Sequence, residues 1–232
     1  YSGGMSITGP DANTPTRAGI PIGDLGSGLY GVIGILSALL SREKTNIGQH
    51  IDMSLLDVQI SLLTYMATMQ TLSNIDPEPI GNAHFVHVPY NSFTTANGFV
   101  VIAVITDAFW EALLEVVNID SLKDPKFNKS VDRLKNQEFI ESELNKVLST
   151  NSSEHWIKAL NDAKVPCAPI NTFSQALSDE QVIHRNMVVE VEHPDGGKVK
   201  MPGNPVKLSY TNEDSYTCLL YTSDAADDTP CV

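Results

Sequence analysis

The sequence is poor in cysteine, in basic residues and in long uncharged apolar runs, and each shortage excludes something. Only Cys167, Cys218 and Cys231 occur in 232 residues. An odd number at such wide spacing supports neither a disulfide framework nor a zinc site. It fits a reducing compartment and predicts a cytoplasmic location. Lys and Arg number 15 against 28 Asp and Glu, for a formal net charge of −13 and a pI of about 4.7. Nucleic acids and anionic membrane surfaces both require a basic face, so neither is an expected partner. A phosphorylated ligand is not excluded, because a few local donors suffice for one. The longest uncharged apolar stretch, residues 25–40, has 16 residues and falls short of a membrane span. It is interrupted by Gly26, Ser27, Gly28, Gly31, Gly34 and Ser37, so a buried helix is the expectation. No basic segment followed by an apolar run marks a signal peptide.

What is present describes a globular chain. Hydrophobic residues make up 42% and charged residues 19%, enough apolar material for a core. The length suits one large or two small domains. The run from Cys218 through Leu219, Leu220 and Tyr221 to Asp228 resembles translated read-through of a sequencing-library adapter. Residues 218–232 are therefore set aside from fold reasoning. Together with an opening on Tyr1 rather than Met, this tail predicts a gene fragment truncated at both ends.

Along the chain, residues 1–24 are rich in Gly, Thr and Pro and read as loop with one short strand at 20–23. Residues 26–42 carry apolar groups at three- and four-residue steps and on the opposite side too, which predicts a helix buried nearly all round. A short strand is expected at 50–53 and a second helix at 54–72, with Leu55, Val58, Leu62, Tyr65, Met66 and Met69 on one stripe. Pro77, Pro79 and Gly81 mark a boundary. Strands at 90–94 and 99–104 flank Asn97-Gly98, a strong turn signal. Helices are expected near 106–117, 136–149 and 153–163, with Asp107 and Ser152 or Ser153 as N-caps. An apolar segment at 165–170, a helix at 173–178, and a second hairpin at 187–192 and 198–201 around Asp195-Gly196-Gly197 complete the pattern.

Several groups could carry chemistry. Gly23-Asp24-Leu25-Gly26-Ser27-Gly28 joins the expected strand to the first helix. Asp24 is either a helix N-cap, its carboxylate accepting from backbone N–H groups, or a reactive carboxylate at a site the glycines open to substrate. Spacing alone favours the cap. The order of residues does not fit a dinucleotide fingerprint. Asp52 and Asp57 straddle a strand-to-helix join and read as structural, with Ser54 as a helix cap. Gly81-Asn82-Ala83-His84 and His87-Val88-Pro89-Tyr90 read as a loop whose backbone and His84 line a pocket rather than as a metal site. Cys167 reads as an inert buried thiol. Trp110 and Trp156 read as core.

Taken in order, Ser2-Gly3-Gly4-Met5-Ser6-Ile7-Thr8-Gly9, Pro15-Thr16-Arg17-Ala18-Gly19, Gly23-Asp24 with its glycine helix, Gly48-Gln49 through Ser54-Leu55-Leu56-Asp57, Gly81-Asn82-Ala83-His84, Pro89-Tyr90, Phe93-Thr94-Thr95, Gly98 and Val165-Pro166-Cys167-Ala168-Pro169 resemble the family III coenzyme A transferases. Formyl-CoA and carnitine CoA-transferases are of that family. The resemblance runs over residues 1–210. It implies an α/β fold, with part of a Rossmann-like large domain in residues 1–76 and a small α+β domain in 77–180. Residues 181–217 would return to the large domain, and 218–232 would be a non-native tail.

The resemblance also implies a role for Asp24. It matches the position of the family's catalytic aspartate, which attacks an acyl-CoA thioester and passes through a mixed anhydride and an aspartyl-CoA thioester. Gly26, Gly81, Asn82 and His84 are implied as weaker contacts to substrate or coenzyme A. The family's glycine-rich loop matches Gly81-Asn82 only in position. Acyl-CoA and a small carboxylic acid would be the substrates, with no permanently bound cofactor, no metal, no nucleic acid and no membrane. The family's interlocked homodimer is expected of the whole protein, and a fragment lacking the first half should be inactive alone. Two alternatives stay open. A 2-methylacyl-CoA racemase of the same superfamily uses an aspartate at the equivalent place with a His further upstream. A non-catalytic binding module would use Asp24 only as a cap.

Overall fold

Pro21 sets the start of the first helix. Its φ of −76° leads into the helical region, and its carbonyl accepts from Leu25 N–H at 3.0 Å. The computed structural model describes residues 1–193, 196–211 and 216. The adapter-like tail at 218–232, and Asp195 of the expected second turn, lie outside them. Helix α1 spans Ile22–Thr45, with Asp24 in its first turn and Arg42 and Lys44 in its last, the charge order a helix dipole favours. It ends at Asn46, in the left-handed region at φ 56°, whose N–H returns to the Arg42 carbonyl at 2.7 Å. The strand expected at 20–23 does not form. Residues 22 and 23 belong to the helix, and the only regular structure before it is a single 3-10 turn at Gly4–Ile7.

The burial expected for α1 is reversed. Only Ser27 is buried, and Leu29, Leu36 and Leu40 are 67%, 60% and 59% exposed. The face that packs is the glycine face. A Cβ added to Gly26 would sit 2.9 Å from Leu62 Cδ1, and ones on Gly31 and Gly34 would touch Met53 Cε and Ile51 Cγ2 at 3.5 and 3.4 Å. Small residues thus let α1 approach its neighbours closely, while its leucines stay exposed among the described residues. By length and composition α1 is long and apolar enough to cross a membrane, which a count of uncharged residues alone missed.

The second helix expected at 54–72 is two. Helix α2, Leu55–Leu62, is capped by Ser54, whose Oγ accepts from Asp57 N–H at 3.0 Å. Helix α3, Thr64–Ser73, begins where Thr64 turns to φ 50° and breaks the helical run. Of the expected stripe only Val58 and Met66 are buried. Residues 46–54 form no strand, since a strand needs a partner and no sheet in the described residues includes them.

The core lies in residues 88–165. Strands β1 (Tyr90–Thr95) and β2 (Gly98–Ala103) form the expected antiparallel hairpin, with Tyr90 opposite Ala103 and Thr95 opposite Gly98. That register makes Ala96-Asn97 the turn and places Gly98 in the strand. The Asn97 side chain does other work, accepting from Ser153 N–H at 2.8 Å. Helix α4 is Asp107–Val117, and its N-cap is Thr106, which accepts from Phe109 N–H. Asp107 is freed for an ion pair. A short helix, α5 (Ser130–Lys135), was not foreseen. Helices α6 (Gln137–Leu148) and α7 (Ser153–Asp162) were, and Ser152 caps α7. Strand β3, Cys167–Pro169, pairs antiparallel with β2.

Phe93, Val100, Ile102, Trp110, Leu113, Ile140, Leu144, Trp156 and Leu160 close the centre of this core. Each large apolar side chain so buried contributes about 1.5–3 kcal/mol. The free edge of β1 is covered by α6, where Asn145 Oδ1 accepts from Thr94 N–H and Glu141 accepts from the Asn91 amide.

These elements belong to a compact unit running from Tyr1 to Pro169. A second unit begins at Ile170. It contains α8 (Phe173–Ser178), held by a capping box between Thr172 and Gln175, and α9 (Glu180–His184), capped by Asp179. Its two-stranded antiparallel ribbon pairs β4 (Val188–Glu192) with β5 (Lys198–Pro202), as the second hairpin predicts.

Candidate functional site

Asp24 occupies the third position of α1, three residues beyond Pro21, which holds the cap position expected of Asp24. Its side chain is exposed, and among the described residues it makes no hydrogen bond or ion pair. Cap and catalyst are therefore not rival assignments here, because the capping position belongs to Pro21. The first turn of any helix leaves backbone N–H groups without intrahelical partners. Beneath Asp24, Ser27 Oγ donates to the Gly23 carbonyl at 2.6 Å. Gly23 faces the amide of Gln59, where a Cβ would stand 3.0 Å from Nε2. Gln59 in turn accepts from Ser2 Oγ at 3.3 Å.

Residues 2–9 connect this turn to the second candidate segment. Gly9, at φ 135°, accepts at its carbonyl from Gly81 N–H at 2.9 Å. A Cβ on Gly9 would stand 2.5 Å from the Thr14 carbonyl oxygen, so that position requires glycine, while Gly81, at φ 64° with open space for a Cβ, only favours it. Asn82 donates from Nδ2 to Ser92 Oγ at 2.9 Å. No hydrogen bond or ion pair among the described residues joins Asp24 or Gly26 directly to Gly81, Asn82 or His84. Gln59 went unnoticed in sequence, and Gly9 was noted only as the last residue of a motif. Gln59 could have been flagged as the one side-chain amide in a helix of eight residues whose other polar residues are Asp57 and Ser61.

His84 is the most constrained of the candidates. Its N–H donates to the Tyr90 carbonyl at 3.1 Å. Its Nδ1 accepts from Val86 N–H at 3.0 Å and His87 N–H at 3.3 Å. The ring stacks on Tyr90 at 5.1 Å and 21°, with His87 at 4.8 Å on a tilted plane. Partial burial, and then the neighbouring His87, hold its imidazole below the ordinary value of 6.5.

The loop that carries His84 is tied to the core by Arg133, which is 1% exposed. Its Nε donates to the Val88 carbonyl at 2.9 Å and its Nη1 to the Phe127 and Asn128 carbonyls, both at 3.0 Å. Its Nη2 pairs with Asp107 at 2.8 Å. The guanidinium also lies 5.2 Å from the Trp110 ring.

The remaining candidates stand apart. Asp52 and Asp57 are exposed. Burial raises the pKa of the Cys167 thiol, and its Sγ lies 3.5 Å from Asn161 Oδ1, which suits an unreactive group. Among the described residues no cluster of His, Cys, Asp and Glu could hold a metal ion.

The family model of CoA-transferase family III matches residues 1–217. The succinyl-CoA:glutarate CoA-transferase of Mus musculus is 33% identical over 213 residues, covering 90% of this chain and 48% of the relative. The acetyl-CoA:oxalate CoA-transferase of Acetobacter aceti is 34% identical over 210 residues, covering 90% of this chain and 53% of its own. Among solved structures, a CAIB/BAIF family protein from Brucella suis superposes with a TM-score of 0.76 at 30% identity, over 91% of this chain and 55% of that one. The Rv3272 protein of Mycobacterium tuberculosis shares the fold, with a TM-score of 0.76 at 19% identity. The chain spans about half the length of the curated relatives it matches.

Proposed function

The chain belongs to CoA-transferase family III, and from that premise we propose that the whole protein moves coenzyme A from an acyl-CoA to a carboxylic acid through Asp24. The observation that carries the reading is the match to relatives named as CoA-transferases, spread over 90% of the chain rather than confined to one motif. Those relatives are named for succinyl-CoA, glutarate, acetyl-CoA and oxalate, so a small dicarboxylic acid is the first substrate class to test.

The chemistry balances as follows. The Asp24 carboxylate attacks the thioester carbonyl carbon, the C–S bond breaks, and coenzyme A leaves as thiolate. The result is a mixed anhydride on Asp24. The thiolate then attacks the Asp24 carbonyl carbon and releases the donor acid, leaving an aspartyl-CoA thioester. The acceptor carboxylate repeats the sequence in reverse and departs as the new acyl-CoA. Splitting the exchange this way replaces one difficult step with easier ones.

Support for Asp24 comes from its exposure and its place in the first turn of α1, where backbone N–H groups lack intrahelical partners. Gly26, Gly81, Asn82 and His84 are assigned to the substrate side of the site in the same reading. Residues 1–76 and 77–180 are read as parts of the large and small domains, and the whole protein as a homodimer in the cytoplasm. A racemase is not favoured, since the relatives reported above that are named for an activity are named for transfer.

The test is trapping. Whole protein incubated with acyl-CoA and hydroxylamine should yield a hydroxamate at Asp24, located by peptide mass spectrometry. Asp24→Ala should abolish both the trapped product and CoA exchange. Full exchange by that variant sinks the proposal. Exchange of the α-proton without an acceptor acid would instead support the racemase.

A further inference from the structure

The loop at residues 80–90 is pinned along its length, and one ring nitrogen of His84 is left without a partner among the described residues. Gly81 N–H is bound to Gly9, Asn82 to Ser92, His84 N–H to Tyr90, the Val88 carbonyl to Arg133, and the Pro89 carbonyl to Val104 N–H. His84 cannot turn freely within it. Its Nδ1 already accepts two backbone N–H groups, so it carries no hydrogen there. The ring proton of the neutral imidazole then sits on Nε2. Among the described residues Nε2 has no partner, and the residue is half-exposed.

The surroundings say what that N–H suits. No Lys or Arg occurs between Lys44 and Lys123. The one cation bonded to the loop, Arg133, is committed to three backbone carbonyls and Asp107. A phosphate or a free carboxylate is held best by charged or multiple donors. A single neutral donor, on a loop that itself carries no Lys or Arg, matches a neutral acceptor instead.

We propose that His84 donates its Nε2–H to the acyl carbonyl oxygen of the thioester, so that it positions the acyl end of the substrate rather than the coenzyme A body. This deepens the transferase reading and rests on it. The lowered imidazole pKa agrees, because it keeps the ring neutral and Nδ1 free to accept.

The experiment uses the whole protein and a ketone analogue of succinyl-CoA in which a methylene replaces the thioester sulfur. It keeps the carbonyl and cannot be transferred. Calorimetry gives its Kd and that of free coenzyme A. His84→Phe keeps the stacking on Tyr90 and removes both ring nitrogens. It should weaken the analogue about tenfold and leave coenzyme A binding unchanged. His84→Gln carries an amide N–H at similar reach and should restore most of the loss.

Wild-type affinity for the analogue in His84→Phe overturns the proposal. Equal weakening of analogue and coenzyme A also overturns it, as does a His84→Gln protein no better than His84→Phe. Nitrogen-15 spectra of histidine-labelled protein give a second readout. The neutral Nε2–H form at neutral pH is expected, and an Nδ1–H form or an imidazolium overturns the assignment. None of these measurements requires turnover. A failure of Asp24 in the trapping test therefore appears separately from a failure of His84 here.

Discussion

Arg133 donates its Nε–H to the carbonyl of Val88 at 2.9 Å, across 45 residues of chain. Val88 is itself fully buried, and the next residues lead directly into β1. One side chain thus joins the start of the hairpin, the turn at Pro125–Phe127 and the first turn of α4.

Removing that side chain leaves three carbonyls and a carboxylate without their donor. Arg133→Met should lower stability by about 3 kcal/mol, the range for breaking a buried, hydrogen-bonded charge. Arg133→Lys, with fewer donors in a different geometry, should recover only part of it. Urea midpoints of the three proteins check this. A midpoint for Arg133→Met equal to wild type would show that those carbonyls find partners elsewhere.

The two tryptophans should respond differently to the same change. Trp156 donates from Nε1 to the Leu148 carbonyl at 2.7 Å, whereas the buried Nε1 of Trp110 has no hydrogen-bond partner among the described residues. Replacement by Phe shrinks both rings equally. Trp156→Phe should therefore cost about 1–2 kcal/mol more than Trp110→Phe, the worth of one buried bond and its orphaned acceptor. Equal losses would place an unseen partner on Trp110.

Three glycines make a graded series. Gly28 lies in α1 with open space where a Cβ would go, and Gly28→Ala should stabilise by about 0.5–1 kcal/mol. Gly26→Ala pushes on the tip of Leu62, so its gain should be smaller. Gly9→Ala forces a Cβ toward a backbone carbonyl at a positive φ and should cost about 1–3 kcal/mol. Thermal unfolding of the series settles the order.

Acid should act partly through His84. Its folded-state pKa lies below 6.5 because of burial and the neighbouring His87, so the unfolded chain takes up the proton first. The stabilisation this gives is complete above the unfolded value and is lost as pH falls from about 6.5 through the folded value. The stability difference between wild type and His84→Phe should therefore shrink on acidification. Urea midpoints across that range test it, and a constant difference contradicts it.

Local chemistry was legible in the sequence where it was decided locally. Ser54 and Ser152 as caps follow from residue type and spacing, and both hairpins follow from alternation and turn residues. The first turn was misplaced by one residue because Asn97 and Gly98 look like a turn pair. Asn97 instead spends its side chain on Ser153, a contact 56 residues away that no local rule contains. Arg133 was invisible for the same reason, since all four of its bonds are set by packing. Asp24 was singled out through its motif, but its place inside the helix rather than at the cap depends on Pro21. The burial of α1 was misjudged because periodicity identifies an apolar face and not what covers it.

That last feature bears on how the chain opens and closes. Within α1 only Ser27 is shielded, while α6 and α7 hold Ile140, Leu144, Leu148, Trp156 and Leu160 in the core. Amide exchange should follow that division, with deuterium entering α1 early and the helices of residues 137–162 late. The turn that carries Asp24 would then be less protected than the core helices. Its working geometry would be fixed by whatever comes to rest on the leucines of α1, more than by the contacts it makes within this chain.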